Sequence, residues 1–279
     1  MNGTLTATGA AAPPRSRWTP RVVTFWVTLG AYVLLTAGVI MIHSPLLQLD
    51  QWFYGLHLHV EHPQYERFVL DYVMLGQRGP ATLLFLPYFI WVAWRSRSSR
   101  PLVMLGTALV LLNVSVGVVK LLTGRLGPQQ TRLVHQVLMG GDIYPSGHVA
   151  NTVVLYGLVA WITLWHRKLV IAAAVFVCVT VSLGTVYLNT HWLSDIFGGL
   201  LAGALVLLAL PTVLPTTQRW TDVGVARLRA WLARRRAARA PDAPQPMPVG
   251  VGSHGELDAG QLSGERPQPA GERRVPRHL

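Results

Sequence analysis

The chain has 279 residues, of which 51% are hydrophobic and only 13% are charged. Soluble domains carry about 25% charged residues, and the apolar residues here come in long runs, so a water-surrounded globular core is excluded as the main fold. The formal net charge is +12, but many arginines lie at the ends of apolar runs and in the C-terminal tail. This placement favours a membrane protein over a nucleic-acid-binding protein. The single cysteine, Cys178, excludes an intramolecular disulfide framework and a cysteine cage for a metal.

Six apolar segments predict transmembrane helices, because a helix needs about 20 apolar residues to cross about 30 Å of hydrocarbon. In chain order the segments are Val22 to Ile42, Pro80 to Trp94, Leu102 to Val119, Val149 to Trp165, Leu169 to Thr190 and Ile196 to Leu214. The second segment is short and contains Pro87, so its helix is predicted to begin within Tyr72 to Gly79. We therefore predict an all-α fold, a polytopic membrane protein with a six-transmembrane-helix bundle.

The segments outside these helices predict the domain organisation. Residues 1–21 are predicted to be an N-terminal cytoplasmic tail, and the first apolar run is interpreted as a membrane span and not as a cleaved leader. Residues 43–77 are mixed in character and predict short amphipathic helices at the interface. The membrane domain is predicted to cover residues 22–215. Residues 216–279 are predicted to be a basic and largely disordered cytoplasmic tail, whose arginine-rich start is typical of a short helix on the membrane surface.

The distribution of lysine and arginine predicts how the protein is oriented in the cell membrane. One set of span ends carries most of the positive charge: Arg15, Arg17, Arg21, Arg95, Arg97, Arg100, Arg167 and Lys168. By the positive-inside rule these ends are cytoplasmic. An even number of spans then places both termini inside. The loops 43–77 and 123–147 and the turn 189–195 are predicted to face outward.

Three short polar segments lie at the predicted outer ends of helices. They are KLLTGRLGP (Lys120 to Pro128), YPSGH (Tyr144 to His148) and HWLSD (His191 to Asp195). Alternating spans bring the end of the third helix, the start of the fourth and the junction of the last two to one membrane face. The three segments are therefore predicted to form one site.

His191 and Asp195 are spaced four residues apart, which places both on one face of a helix. A carboxylate can accept the proton of one imidazole nitrogen, which makes the other nitrogen more nucleophilic. Alternatively, Asp195 caps the start of the last helix, where a carboxylate satisfies backbone N–H groups. The two roles are compatible.

The Pro-Ser-Gly-His segment predicts a place for an anion. Ser146 and Gly147 open a helix and leave backbone N–H groups free, while His148 can donate a proton to a leaving oxygen. Lys120 and Arg125 add positive charge that suits a phosphate. The alternatives are an N-cap for Ser146, an interfacial position for His148 and a Lys120 side chain that reaches the membrane surface.

Two histidines, a carboxylate and several cations suit one reaction well, in which one imidazole attacks phosphorus and the other protonates the departing group. The reaction requires no metal and no cofactor. Zinc is the main competing ligand of histidine-rich sites, but the neighbouring cations oppose a metal ion.

These residues resemble the type 2 phosphatidic acid phosphatase superfamily of membrane phosphatases over about Leu46 to Leu214. The family pattern is a lysine followed after six residues by Arg-Pro, then Pro-Ser-Gly-His, then Ser-Arg, five residues, His, three residues and Asp. Both motif arginines are replaced, since Gly127 precedes Pro128 and Gly184-Thr185 stands in place of Ser-Arg. The resemblance implies that His191 is the nucleophile, Asp195 its partner and His148 the general acid. It also implies phosphate binding by Lys120, Ser146 and Gly147, to which Arg125 is a candidate addition.

The sequence therefore predicts a phosphoric monoester or diphosphate hydrolase that acts on a lipid phosphate or lipid diphosphate at the outer membrane face. Its expected partners are this substrate and membrane lipids, and nucleic acid is excluded. Two other functions remain open: transfer of the phosphoryl group from a lipid to an alcohol, and lipid-phosphate binding or transport without catalysis. The absence of the two arginines is the main support for the last of these. The oligomeric state, the lipid tail and the head group are left open.

Overall fold

The structure is a computed structural model that describes residues 19–41 and 44–239. Predictions for residues 1–18, 42–43 and 240–279, including the disordered part of the C-terminal tail, lie outside the described residues. Within the described ranges all regular secondary structure is helical. The helices are α1 (Pro20–Ile40), α2 (Pro45–Gly55), α3 (Leu58–Glu61), α4 (Glu66–Val73), α5 (Arg78–Ser96), α6 (Arg100–Thr123), α7 (Gly147–Ile162), α8 (Arg167–Tyr187) and α9 (Leu193–Arg239). Two short 3₁₀ turns, Pro63–Tyr65 and Met74–Gly76, flank α4.

Four helices, α1, α6, α8 and α9, are long and apolar enough to cross a membrane, and α7 is a shorter apolar helix. The all-α class and the membrane character of the chain are therefore confirmed. The count of six spans goes beyond these helices and stays a prediction. Helix α5 begins at Arg78, inside the predicted window, and continues through Pro87. The segment between α1 and α5 forms the short helices α2 to α4, as its mixed composition predicts.

The largest difference from the prediction concerns the last helix, which was expected to end at Leu214. It continues as one helix to Arg239, past Pro211 and Pro215. The residues after Pro215 are rich in alanine, arginine and leucine, which are among the strongest helix formers. Local helix propensity therefore extends the element well beyond the roughly 20 residues that a bilayer requires. The predicted domain border at residue 216 falls inside this helix.

The core of the bundle lies between α5, α6, α7 and α9. Its fully buried members include Phe89, Leu112, Leu155, Leu158 and Leu210. Large apolar side chains also cover the outer faces of α1, α5, α6 and α8, where residues such as Leu34, Leu83, Leu121 and Phe176 are exposed. A bundle with apolar residues both inside and outside is expected in lipid and would be unstable in water.

The predicted site segments meet at one end of the bundle, because backbone contacts draw the starts of α7 and α9 together. The Ser146 N–H donates to the Asp195 carbonyl at 2.9 Å. Gly199 allows this close approach, since a Cβ at that position would lie 2.6 Å from the Ser146 carbonyl oxygen. Helix α6 ends at the same place, where Gly124, with a φ of +51°, adopts the left-handed conformation that favours glycine.

Candidate active site

Two imidazole rings face each other where α7 and α9 begin. His148 is the second residue of α7, and His191 lies in the turn just before α9. Their ring centroids are 6.0 Å apart, with an interplanar angle of 71°. His191 is buried, whereas His148 is half-buried. The structure thus brings together two histidines that are 43 positions apart in the chain, at the distance of an edge-to-face ring contact.

Asp195 supports His191 from behind. Its Oδ2 lies 3.4 Å from the Nδ1 of His191 and accepts a hydrogen bond from the Trp192 backbone N–H at 2.9 Å. The carboxylate therefore satisfies a backbone N–H at the helix start and lies near the imidazole without a hydrogen bond to it, so the pairing with His191 stays a prediction. One detail differs from the prediction, because His191 precedes α9 and so the pairing results from a turn and not from one helical face. With Nδ1 turned to Asp195, Nε2 is the nitrogen left for chemistry.

The start of α7 has the features of an anion site. The Ser146 hydroxyl accepts a hydrogen bond from the Val149 N–H at 3.4 Å, which makes Ser146 the N-cap. The N–H groups of Gly147 and His148 come earlier in the first turn, where a helix offers no internal acceptor. Both residues are half-buried. These two N–H groups, together with the positive end of the helix dipole, favour a bound anion.

Lys120 reaches the site from the last turn of α6. Its ammonium group donates a hydrogen bond to the Asp142 backbone carbonyl, in the loop that leads to α7. The side chain is half-buried, whereas the Asp142 side chain is exposed. The contact explains why Lys120 stays near the start of α7 instead of extending along the membrane surface. The backbone carbonyl of Asp142 therefore helps to position Lys120.

Arg125 lies elsewhere than the sequence suggests. Its side chain has no solvent exposure, and its guanidinium donates to two carboxylates. Nη1 donates to Asp195 Oδ1 at 2.6 Å and to the Ser194 hydroxyl at 2.7 Å, and Nη2 donates to Asp50 Oδ2 at 2.7 Å. Both terminal nitrogens therefore already have strong acceptors. The expectation that Arg125 contacts the phosphate directly does not fit this arrangement, because two buried carboxylates compete for the same N–H groups.

Asp50 is a site residue that the sequence reasoning missed. It lies on α2, and its Oδ1 accepts a hydrogen bond from the Ser194 N–H at 2.7 Å. Its Oδ2 accepts from the Ser194 hydroxyl at 2.5 Å, in addition to Arg125. Burial raises the pKa of the Asp50 carboxyl, and the Arg125 charge and the Ser194 hydrogen bonds counteract this effect. The only sequence signal is that Asp50 is the one carboxylate in the apolar helix PLLQLDQWFYG.

The positions of the two missing motif arginines are filled by neighbouring side chains. A Cβ at Gly127, the first arginine position, would lie 2.9 Å from Cγ1 of Ile143, and a Cβ at Gly184, the motif serine position, would lie 2.8 Å from Cγ1 of Val73. Thr185 is fully buried, and its hydroxyl donates to the Ser182 carbonyl at 2.8 Å. The space around these positions is therefore packed and does not form a gap that an arginine has left.

Comparisons with known proteins agree with this architecture. The model of the PAP2 superfamily matches residues 101–219. A curated relative, phosphatidylglycerophosphatase B of Bacillus subtilis (strain 168), is 30% identical over 89 residues, which are 29% of this chain and 42% of that protein. The match thus spans less than half of the relative's length.

A solved structure has a similar fold. It is described as the first transmembrane PAP2 type phosphatidylglycerolphosphate phosphatase from Bacillus subtilis, and the two structures align with a TM-score of 0.55. The alignment covers 70% of this chain and 96% of that one at 22% sequence identity, which shows a shared fold. By its family match over residues 101–219, its membrane helices and this fold, the chain is similar to the PAP2 superfamily of membrane proteins.

Proposed function

We propose that the protein hydrolyses a lipid phosphate or lipid diphosphate through a phosphohistidine intermediate at the outer membrane face. The observation that carries the proposal is the pair of facing imidazoles, His148 and His191, with Asp195 behind one of them. A nucleophile, an acid and a carboxylate that orients the nucleophile are the parts that covalent phosphoryl transfer requires.

In the first step, Nε2 of His191 attacks phosphorus, and an N–P bond forms as the bond from phosphorus to the leaving oxygen breaks. Asp195 faces the opposite nitrogen and favours the positive charge that develops on the imidazole. His148 gives its proton to the leaving oxygen, which departs as an alcohol or as a phosphate. Lys120 and the N–H groups of Gly147 and His148 hold the remaining phosphoryl oxygens, and the Ser146 hydroxyl caps the start of this helix.

In the second step, water attacks the phosphohistidine and releases inorganic phosphate. His148, now neutral, accepts a proton from this water, and the N–P bond breaks to return His191 to its starting state. The same intermediate would pass the phosphoryl group to an alcohol if an alcohol replaced the water. Hydrolysis and phosphotransfer therefore differ only in the acceptor.

The relatives support a lipid substrate. The curated relative is named a phosphatidylglycerophosphatase, and the solved structure is described as a phosphatidylglycerolphosphate phosphatase. In this chain, the site residues lie where apolar helices such as α6 end, so a lipid tail can stay in the bilayer while its phosphate reaches the histidines. Phosphatidylglycerophosphate is therefore the first substrate to test, followed by polyprenyl diphosphate and phosphatidate.

The charge distribution supports an extracytoplasmic site. Arg21, Arg95, Arg100 and Arg167 lie at the helix ends away from the histidines, as shown by the bounds of α1, α5, α6 and α8. The positive-inside rule makes that end cytoplasmic and the site end external.

One observation favours a second candidate function, a lipid-phosphate binder without catalysis. Both positions of the motif arginines are packed, and the remaining buried arginine, Arg125, is held by carboxylates. Loss of one donor to a developing oxyanion costs about a hundredfold in rate, so the loss of two is substantial. The retained His148, His191 and Asp195 favour catalysis, because phosphate binding alone has no need for a nucleophile with an orienting carboxylate.

The test is release of inorganic phosphate from the three lipid substrates by the purified full-length protein in detergent. We expect release from at least one lipid and none above background with His191→Ala, while His135→Ala, at an exposed histidine of the loop before α7, keeps the wild-type rate. A phosphorylated alcohol in place of inorganic phosphate would identify a transferase. No turnover by the wild type on any lipid, or equal turnover by His191→Ala, would contradict the proposed function.

A further inference from the structure

Four buried groups behind His191 form one continuous polar network: Asp50, Arg125, Ser194 and Asp195. None of them is more than 1% exposed. Arg125 lies between the two carboxylates, at 2.7 Å from Asp50 and 2.6 Å from Asp195. Ser194 closes the network, because its hydroxyl accepts from Arg125 and donates to Asp50 while its N–H also donates to Asp50. Each carboxylate oxygen of the network accepts at least one hydrogen bond.

We propose that Asp50 is a positioning residue of the active site, which balances the charge of Arg125 and thereby leaves a net negative charge behind His191. The inference rests on the proposed function, in which Asp195 must favour positive charge on that imidazole. Asp50 does not touch the reacting atoms and acts through Arg125.

The charges of the network explain why a second carboxylate is needed. Arg125 and Asp195 alone form a neutral ion pair, and a neutral pair does little to stabilise a cationic imidazole. With Asp50 ionised, the three groups carry a net charge of minus one, next to the Nδ1 of His191. Such electrostatic interactions are strong here because the groups are buried away from water, where the dielectric constant is low.

Other charged groups act on His191 from the opposite side. His148 on α7 faces the ring directly, and the Lys120 ammonium on α6 is bonded to the Asp142 carbonyl in the loop before α7. Both oppose positive charge on His191 when they are protonated. The carboxylates of Asp50 and Asp195 therefore have to offset Lys120 as well as Arg125.

Asp50 lies on a helix outside the segment that the family model matches. The family match covers residues 101–219, so α2 lies outside the matched segment. The same helix contributes Tyr54, whose ring centroid lies 5.5 Å from that of Trp192, the residue after His191. Helix α2 thus packs against the catalytic turn with an aromatic side chain and supplies a charge to it.

The experiment compares Asp50→Asn with Asp71→Asn, a matched change at an exposed carboxylate on α4. For Asp50→Asn we expect kcat to fall about tenfold or more while KM stays within about twofold, because the charge acts on the transition state and not on lipid binding. We also expect the acidic limb of the rate profile to move to lower pH, since protonated His191 loses a stabilising charge. Asp71→Asn is expected to behave as the wild type.

A double variant separates charge from structure. Asp50→Asn with Arg125→Gln removes one negative and one positive charge, and so restores the net charge of minus one with Asp195 alone. We expect it to be faster than Asp50→Asn and to return the acidic limb toward its wild-type position. If Asp50 only holds the fold together, the double variant will be slower than either single variant.

Titration of the His191 imidazole by NMR in detergent gives a readout that does not depend on turnover. Its midpoint is expected to move to lower pH in Asp50→Asn and to return in the double variant. An unchanged midpoint, or a rate loss without movement of the acidic limb, would overturn the inference even in an active enzyme. Absence of phosphate release from the wild type would instead contradict the proposed function, while the titration would still decide the role of Asp50.

Discussion

The positions at which this chain matches the family motifs and the positions at which it departs from them have different surroundings. At the matching positions, Lys120, His148 and His191 converge on the start of α7. Lys120 and His148 are half-buried, and the buried His191 faces His148. At the positions that depart from the motif, Gly127 and Gly184 pack against Ile143 and Val73, and Thr185, at the second arginine position, is fully buried. The comparison indicates that Lys120 and the start of α7 are the groups available to a phosphate, whereas Arg125 pairs with the buried carboxylates next to His191.

Among the positions that match the motifs, His148 is expected to give the largest effect on the rate after His191. We expect His148→Ala to reduce kcat by about 10²- to 10⁴-fold, because it removes the proton donor for the leaving oxygen. The loss should be smaller for a lipid diphosphate than for a lipid monophosphate, since phosphate leaves more readily than an alcohol. Rates of phosphate release on both substrates measure this difference. Equal losses on the two substrates would contradict the role of His148 as general acid.

The buried arginine is expected to matter for stability as much as for rate. Arg125→Ala leaves the Asp50 and Asp195 carboxylates buried without their counter-ion, which typically costs 3–5 kcal/mol in the free energy of unfolding. Thermal unfolding in detergent measures the loss, with Arg132→Ala, an exposed arginine of the same loop, as the control. If Arg125→Ala unfolds like the wild type but binds the lipid phosphate weakly, Arg125 contacts phosphate after all.

The packing at Gly127 predicts that the first motif arginine cannot be restored by a single substitution. Gly127→Arg should lower the unfolding temperature and should not raise the rate, because its Cβ alone meets Ile143 at 2.9 Å. Combining it with Ile143→Ala should recover part of the stability by making room. The effect of Gly79→Ala, at a glycine with open space around it, gives the baseline for adding a side chain. A faster enzyme from Gly127→Arg alone would show that this position still faces the phosphate.

Much of the fold follows from hydrophobic length alone. The apolar runs predict α1, α6, α7 and α8 to within a few residues, because the bilayer sets the length of such helices. The end of α9 could not be predicted in this way. The change in composition after Leu214 marks where the apolar run stops, but alanine and arginine keep the backbone helical to Arg239.

The candidate site also contains residues that the sequence predicts and residues that it does not. His148, His191 and Asp195 could be found because their short spacings and positions at helix ends point to one face of the bundle. Asp50 could not, since it is 75 positions from Arg125 and no periodicity links the two. The contacts of Arg125 could not be predicted for a related reason: its place near the motif suggests a phosphate ligand, and only the fold shows its ion pairs with Asp50 and Asp195.

The central claim is that His191 takes the phosphoryl group while His148 handles the proton. The most direct measurement is rapid quenching of the full-length protein during turnover of a phosphate-labelled lipid, followed by mapping of the labelled residue by mass spectrometry. We predict phosphate on His191, with none on His148 and no label in His191→Ala. Turnover with the label on another residue, or with no labelled protein under conditions that preserve phosphohistidine, would contradict the account.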